Sequence, residues 1–198
     1  MAEGSPGAWY NINSLPPKLF VCGYCNNTVA SDRGYYSDAG RLGFQTFIYI
    51  CPFCNRPTYF FGDNQTPGVA FGHTVNHIPS TEVESLYTEA RECMKVNAHT
   101  ASILCSRKLL MNIAVSKGAE EGKTFAEYVN YLSDKGFVPP DGKDWVDHIR
   151  KIGNVANHQI KIMKKEDAQE LLGFLEMLLR FIFEFPAMIK AKVGSPPP

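Results

Sequence analysis

The stretch Phe44-Gln-Thr-Phe-Ile-Tyr-Ile-Cys51-Pro-Phe-Cys54-Asn-Arg-Pro-Thr-Tyr-Phe-Phe61 reads as strand, knuckle, strand. Aromatic and β-branched residues on either side suit a pleated, half-buried backbone. Pro52, Asn55 and Pro57 supply turn chemistry around the two cysteines. Two residues between Cys51 and Cys54 let the chain turn so that both sulfurs face one point. The same device stands upstream as Cys22-Gly-Tyr-Cys25, followed by Asn26-Asn27, with 25 residues between the pairs. Two such pairs predict a tetrahedron of thiolates around one zinc ion, with Zn–S distances of about 2.3 Å. Cys22, Cys25, Cys51 and Cys54 are the expected ligands of a structural Zn²⁺, one per chain. Four sulfurs leave no coordination position for water, which argues against a catalytic metal. A ribbon this small depends on its metal to fold. Two disulfides, or a redox pair, suit the pattern less well in a chain whose thiols are expected to be reduced.

Around this ribbon, residues 31–43 read as a loop, with Gly34, Asp38, Gly40 and Gly43. Tyr59, Phe60 and Phe61 could stack on single-stranded nucleic acid. Covering the small core is the favoured role, because no Lys or Arg beyond Arg56 interleaves with them. Residues 1–15 are expected to be flexible, 16–62 to form the ribbon and 63–80 a linker. His73 and His77 lie in that linker and read as surface or capping groups.

The 198 residues suit one good-sized domain or two small ones, and 44% hydrophobic content can fill a core. Formal net charge is zero, so no global field draws the chain to nucleic acid or a membrane. Residues 143–165 carry a local basic excess, read first as a solvated face. The N-terminus lacks a secretory pattern and no apolar run is long enough to span a bilayer, so a cytoplasmic location is expected.

Residues 81–190 predict a bundle of about five helices. The overall expectation is an α+β chain, mostly α. Thr81-Glu-Val-Glu84 reads as a capping box opening a helix over about 81–95. A second helix is expected over about 97–116, with Arg107 centred on its apolar stripe and therefore buried against a partner or a polar site. Cys93 and Cys105 read as ordinary buried thiols. Thr124-Phe-Ala-Glu127 predicts another capping box, and Gly136 a stop.

The next helix carries Arg150-Lys-Ile-Gly-Asn154-Val-Ala-Asn-His158. On a helical wheel Asp144, Asp147, Lys151, Asn154 and His158 share a polar stripe opposite Trp145, Ile149, Ile152 and Ala156, with Arg150 at its margin. The last helix, about 166–185, is apolar nearly all round. Only Glu176, Arg180 and Glu184 form a charged line, and Pro186 is expected to end it. Such a helix belongs at the centre of the bundle or is shared with a second copy, so a homodimer through it is expected. Residues 191–198 are expected to be a disordered tail.

Ile78-Pro79, Tyr87-Thr-Glu-Ala90, Ala101-Ser-Ile-Leu-Cys-Ser-Arg107, Ile149 to His158 and Glu166-Asp-Ala168 together resemble the prokaryotic domain-of-unknown-function family 4145 over about 67–189. A ribbon often precedes that domain. The family is in turn similar to the HEPN helical superfamily, many of whose members are dimeric, metal-independent RNases in toxin and phage-defence settings. That resemblance implies His158 as general base or acid towards a ribose hydroxyl. Arg150 or Lys151 would stabilise phosphate charge, and Asn154 would orient one of them. The HEPN motif places four to six residues between arginine and histidine, whereas seven separate Arg150 from His158. The expected function is therefore an interaction module binding a protein or nucleic-acid partner, with an RNase or toxin as the alternative.

Overall fold

The computed structural model describes residues 6–40, 43, 45–139, 143–158 and 162–193, with side chains described throughout except at 143, 153–158 and 193. Met1–Ala70 and Phe71–Pro198 form two compact units. The α+β expectation holds, with a small sheet followed by helices.

The first unit is a five-stranded antiparallel sheet in the order β1 (Asn13–Val21), β2 (Thr28–Tyr36), β3 (Phe47–Ile50), β4 (Pro57–Phe61) and β5 (Asn64–Thr66). Strands adjacent in sequence are adjacent in the sheet, as short connections favour. β2 runs on to Tyr36, inside the stretch read as a loop. It does so because Gly34, Tyr35 and Tyr36 pair with Tyr49, Ile48 and Phe47 of β3. β1 begins at Asn13, within the N-terminal stretch expected to be flexible, and β5 takes up part of the expected linker. The core holds Leu15, Phe20, Val29, Tyr49 and Phe60 beside Cys22 and Cys51. Alternation along β4 buries Phe60 and leaves Tyr59 and Phe61 exposed on the other face. The three aromatics of β4 thus do not form one platform.

The second unit contains α1 (Thr81–Lys95), α2 (His99–Ser116), α3 (Phe125–Asp134), α4 (Lys143–His158), α5 (Lys165–Leu179), a π-helical turn (Arg180–Glu184) and α6 (Phe185–Val193). Its core is built from Tyr87, Ile103, Leu110, Val129, Ile149 and the fully buried α5 residues Leu171, Leu172, Phe174, Leu175, Leu178 and Leu179. No helix of the described residues is long and apolar enough to cross a membrane.

Several helix ends differ from the sequence reading. The cap of α1 is Ser80, whose Oγ accepts from the Val83 N–H at 3.2 Å. α2 starts at His99 rather than Asn97. Asn97 sits at φ +58 and closes the turn after α1. The box at Thr124 is present in full: Glu127 N–H donates to Thr124 Oγ1, and Glu127 Oε2 accepts from Thr124 N–H.

Pro186 does not end the last helix. The Phe185 N–H reaches back five residues to the Arg180 carbonyl, so the chain is wound as a π-turn before the proline. α6 then begins at Phe185, which puts Pro186 in a first turn, where a missing N–H leaves no required bond unmade. The helix continues to Val193, into the stretch expected to be disordered, and residues 194–198 lie outside the described residues.

Residues 71–77, expected as linker, are strapped onto α1, α5 and the π-turn. Val75 is only 2% exposed. Arg91 donates from Nε to the Phe71 carbonyl at 3.0 Å and from Nη2 to the Gly72 carbonyl at 2.9 Å. Tyr87 OH donates to the His73 carbonyl at 2.8 Å. Glu176 accepts the His73 N–H at 2.9 Å and pairs with the His73 ring at 3.1 Å. Arg180 joins Glu176 at 3.0 Å, and its Nη1 lies 3.5 Å from Glu184 Oε2 without the direction of a hydrogen bond. The charged line on the last helix is thus the floor under this strap rather than a solvent face, with Glu184 buried. Gly72 sits at φ +72, and a Cβ there would lie 2.5 Å from Glu176 Oε2. Gly72→Ala is expected to cost about 1–3 kcal/mol from the backbone conformation and the displaced carboxylate. Urea unfolding of the variant measures it, and an unchanged midpoint would show that the strap is not held as described.

Candidate functional site

Each cysteine pair sits on the same local turn. In the first, the Cys22 N–H donates to the Asn27 carbonyl at 2.9 Å and the Asn26 N–H to the Cys22 carbonyl at 2.8 Å. In the second, Cys51 N–H donates to Arg56 and Asn55 N–H to Cys51, both at 2.9 Å. Asn26 and Asn55 take φ +60 and +59, a conformation asparagine tolerates better than most residues. This repeated hairpin turns the two thiols of each pair to one side.

Strand pairing then brings the two turns face to face. Cys22 Sγ lies 3.7 Å from Cys54 Sγ, and Cys25 Sγ lies 3.8 Å from Cys51 Sγ. All four sulfurs fall within 4.8 Å of one another, an arrangement that could hold a metal ion. Cys22 and Cys51 are fully buried.

Three of these thiols depart from the ordinary cysteine value, and not in one direction. Burial pushes the Cys54 thiol up to about 12, with the neighbouring thiols adding to the effect. Burial also acts against ionisation of Cys25, but hydrogen bonds from Asn27 and from the Cys22 and Cys54 thiols together outweigh it and bring that thiol to about 7. Cys51 is raised, again first by burial. The raised Cys51 and Cys54 thiols oppose ionisation unless a cation shares them.

The surroundings brace the turns. Gly23 has no room for a side chain, because a Cβ would lie 2.4 Å from the carbonyl oxygens of Pro67 and Gly68. Gln65 Nε2 donates to Val21 and Pro67 carbonyls, tying β5 to the first turn. The N-terminal arm clamps the second. Trp9 Nε1 donates to the Asn55 carbonyl at 2.8 Å, and Asn55 Nδ2 donates to the Pro6 and Gly7 carbonyls. Tyr24 and Phe53, the aromatic between each pair of cysteines, are 42% and 73% exposed, and the Arg56 guanidinium lies 5.1 Å from the Tyr24 ring centre.

The second group of candidate residues lies on α2 and α4. Arg107 is buried, with its guanidinium 4.3 Å over the Phe125 ring of α3, and burial holds its pKa below the ordinary arginine value. α4 continues through Gly153 to His158. Arg150 Nη1 donates to Asp147 Oδ1 at 2.9 Å, one turn back on the same helix. Lys151 is exposed, while the side chains of Asn154 and His158 lie outside the described residues. Along an unbroken helix Arg150 and His158 are separated by about 12 Å of rise and about 80° of rotation. Lys151 and His158 are nearer to one face. Cys93 and Cys105 are free and half-buried, and burial raises both thiols.

One feature escaped the sequence reading. Arg91 stands among the glutamates of α1, yet it is buried, donating to the main-chain carbonyls of Phe71 and Gly72 and, at 3.5 Å, to the Thr74 hydroxyl. The Asp147–Arg150 pair was legible from its three-residue spacing, a standard helix-surface pairing.

These parts define a class of protein, one with a four-cysteine ribbon on a small antiparallel sheet and an all-helical domain. Residues 88–192, just over half of the chain, match the model of the DUF4145 family, described as a domain of unknown function, and the chain belongs to that family. No curated protein and no solved structure matches the chain.

Proposed function

We propose that this protein is a zinc-ribbon interaction module whose helical domain engages a protein or nucleic-acid partner rather than catalysing a reaction. The observation that carries this reading is the four-sulfur cage. A zinc ion at about 2.3 Å from each of four thiolates requires sulfur–sulfur separations of about 3.8 Å. The contacts of 3.7 and 3.8 Å fit that requirement. An all-thiolate set also gives borderline-soft zinc its preferred donors. With all four positions taken by protein, the ion would hold a surface in place and leave no site for substrate. That surface includes Tyr24 and Phe53.

The protein is further proposed to act as a homodimer through its C-terminal helix. Support comes from Phe181, Phe185, Met188 and Ile189, which are 46–62% exposed at i, i+4, i+7 and i+8 spacing.

A metal-independent RNase of the HEPN type, acting in phage defence, is the second reading. It is favoured by the Asp147–Arg150 bond, which fixes a guanidinium on the helix that also carries Asn154 and His158. There His158 would move the proton of a ribose hydroxyl, with Arg150 or Lys151 on the phosphate. Incubating the purified protein with total RNA in EDTA separates the two. The module reading expects no cleavage from folded protein. Cleavage that disappears in His158→Ala would establish the RNase instead.

A further inference from the structure

α6 is unusual among the helices of its unit. From Phe185 to Lys192 every described side chain is exposed except Ala187, which is half-buried. Nine residues are too few to hold a helix in water by propensity alone, where about 12–15 are marginal. Here the helix is templated by α5 and the π-turn behind it, and it presents large apolar side chains to solvent. Phe185, Met188 and Ile189 lie along one side, continuing from Phe181, and Lys190 and Lys192 stand in the last turn.

Elsewhere on the same unit, α1 and α2 leave a groove of about 550 Å³. Its floor is apolar, with Val83, Leu86 and Leu109, and the carboxylates of Glu82 and Glu89 stand on the α1 side. Lys108 lines the α2 side, so the three charges sum to −1. The volume lies in the range of about 300–1,000 Å³ typical of ligand sites, enough to receive a few large side chains.

We propose that α6 of one copy of this chain seats in the α1/α2 groove of a second copy, and that the second returns the contact. The inference rests on the homodimer reading above and specifies its surfaces. The occupant is argued from complementarity. One surface offers three large apolar side chains ending in two ammonium groups, and the other offers an apolar floor beside two carboxylates. Phe185, Met188 and Ile189 fill the floor, and Lys190 or Lys192 meets Glu82 and Glu89. Both surfaces belong to one chain and are present in equal number, so reciprocal insertion closes a two-fold dimer. The contact is a helix-in-groove mode, in which the apolar anchors carry affinity and the charges fix direction.

The test is sedimentation of the full chain, purified with its metal, over a wide concentration range at low salt. Wild type is expected to be a dimer. Phe185→Glu with Met188→Glu is expected to weaken association by about 100-fold or more, since two carboxylates would enter the floor. These positions are exposed, so folding should be untouched, and circular dichroism checks this. Glu82→Lys with Glu89→Lys should weaken the dimer by about fivefold or more, as should Lys190→Glu with Lys192→Glu. Mixing these two charge-reversed proteins should restore a closed heterodimer, because both of its contacts again pair opposite charges, and combining all four changes in one chain should restore the homodimer. A wild-type monomer would overturn both the homodimer reading and this one. A dimer that is lost with the Phe185 and Met188 changes but ignores the groove charges would overturn only the groove. Monomers that bind anionic vesicles through α6 would assign the helix to a membrane surface and overturn the proposal.

Discussion

Cys51→Ser is expected to strip the ribbon of bound metal and unfold it. Metal content measured by elemental analysis should fall from about one zinc per chain to near zero. The effect should be the largest of any single substitution, because structural zinc binding is worth about 10–16 kcal/mol in small zinc-finger peptides. Cys51 is fully buried, its N–H is tied to Arg56, and its sulfur meets Cys25 at 3.8 Å. A serine oxygen there has a shorter reach and is a poorer partner for a borderline-soft ion. The ribbon core is small, and two of its seven buried residues are cysteines. The helical unit has its own buried cluster, so its melting transition should persist. Freshly purified wild-type protein that contains no metal, yet keeps a folded ribbon, would refute the zinc assignment.

The second large effect is expected from Phe174→Ala, at about 3–5 kcal/mol in denaturant unfolding of the helical unit. Phe174 is fully buried in α5, and its ring meets the Trp145 indole edge-on, with centroids 5.0 Å apart. The substitution removes the ring, leaves a cavity and forfeits the aromatic pair. Trp145 lies near the start of α4, so the loss should also loosen the helix that carries Arg150, Asn154 and His158. A cost below about 1 kcal/mol would mean that α4 and α5 are not packed through this pair.

The legible parts of this chain were those whose physics is local. Cys-x-x-Cys fixes a turn within a few residues, and the sequence displayed it twice. Thr124 and Glu127 cap one another three residues apart, which a reader can see without the fold. The α4 wheel placed Trp145, Ile149 and Ile152 together, and the structure buries Ile149 and Ile152 and packs Trp145 on Phe174. What stayed hidden depended on distant backbone. Arg91 looks like a surface residue until the carbonyls of Phe71 and Gly72, about twenty positions earlier, are brought to it. Pro186 looks like a stop because the breaker rule assumes an unbroken α-helical register. The π-turn changes that register and lets the helix pass. The second half of β2 reads as a loop because Gly34 and Tyr35 gain their strand character from partners distant in sequence, Asn13 of β1 and Tyr49 and Ile48 of β3. The polar candidates on α4 were legible as residue types, and the Asp147–Arg150 bond adds the orientation of one of them.

The strap formed by residues 71–77 redraws the boundary of the helical domain. The family model begins at residue 88, part-way along the first helix. A fragment trimmed to that point, or to the start of α1 at Thr81, would open the slot filled by Val75. It would also leave the Arg91 guanidinium without the two carbonyls it holds and Glu176 without its amide. The unit that preserves its own buried contacts starts at Phe71, some seventeen residues ahead of the recognised domain edge. Dissection of this protein into parts should therefore follow the strap rather than the family match.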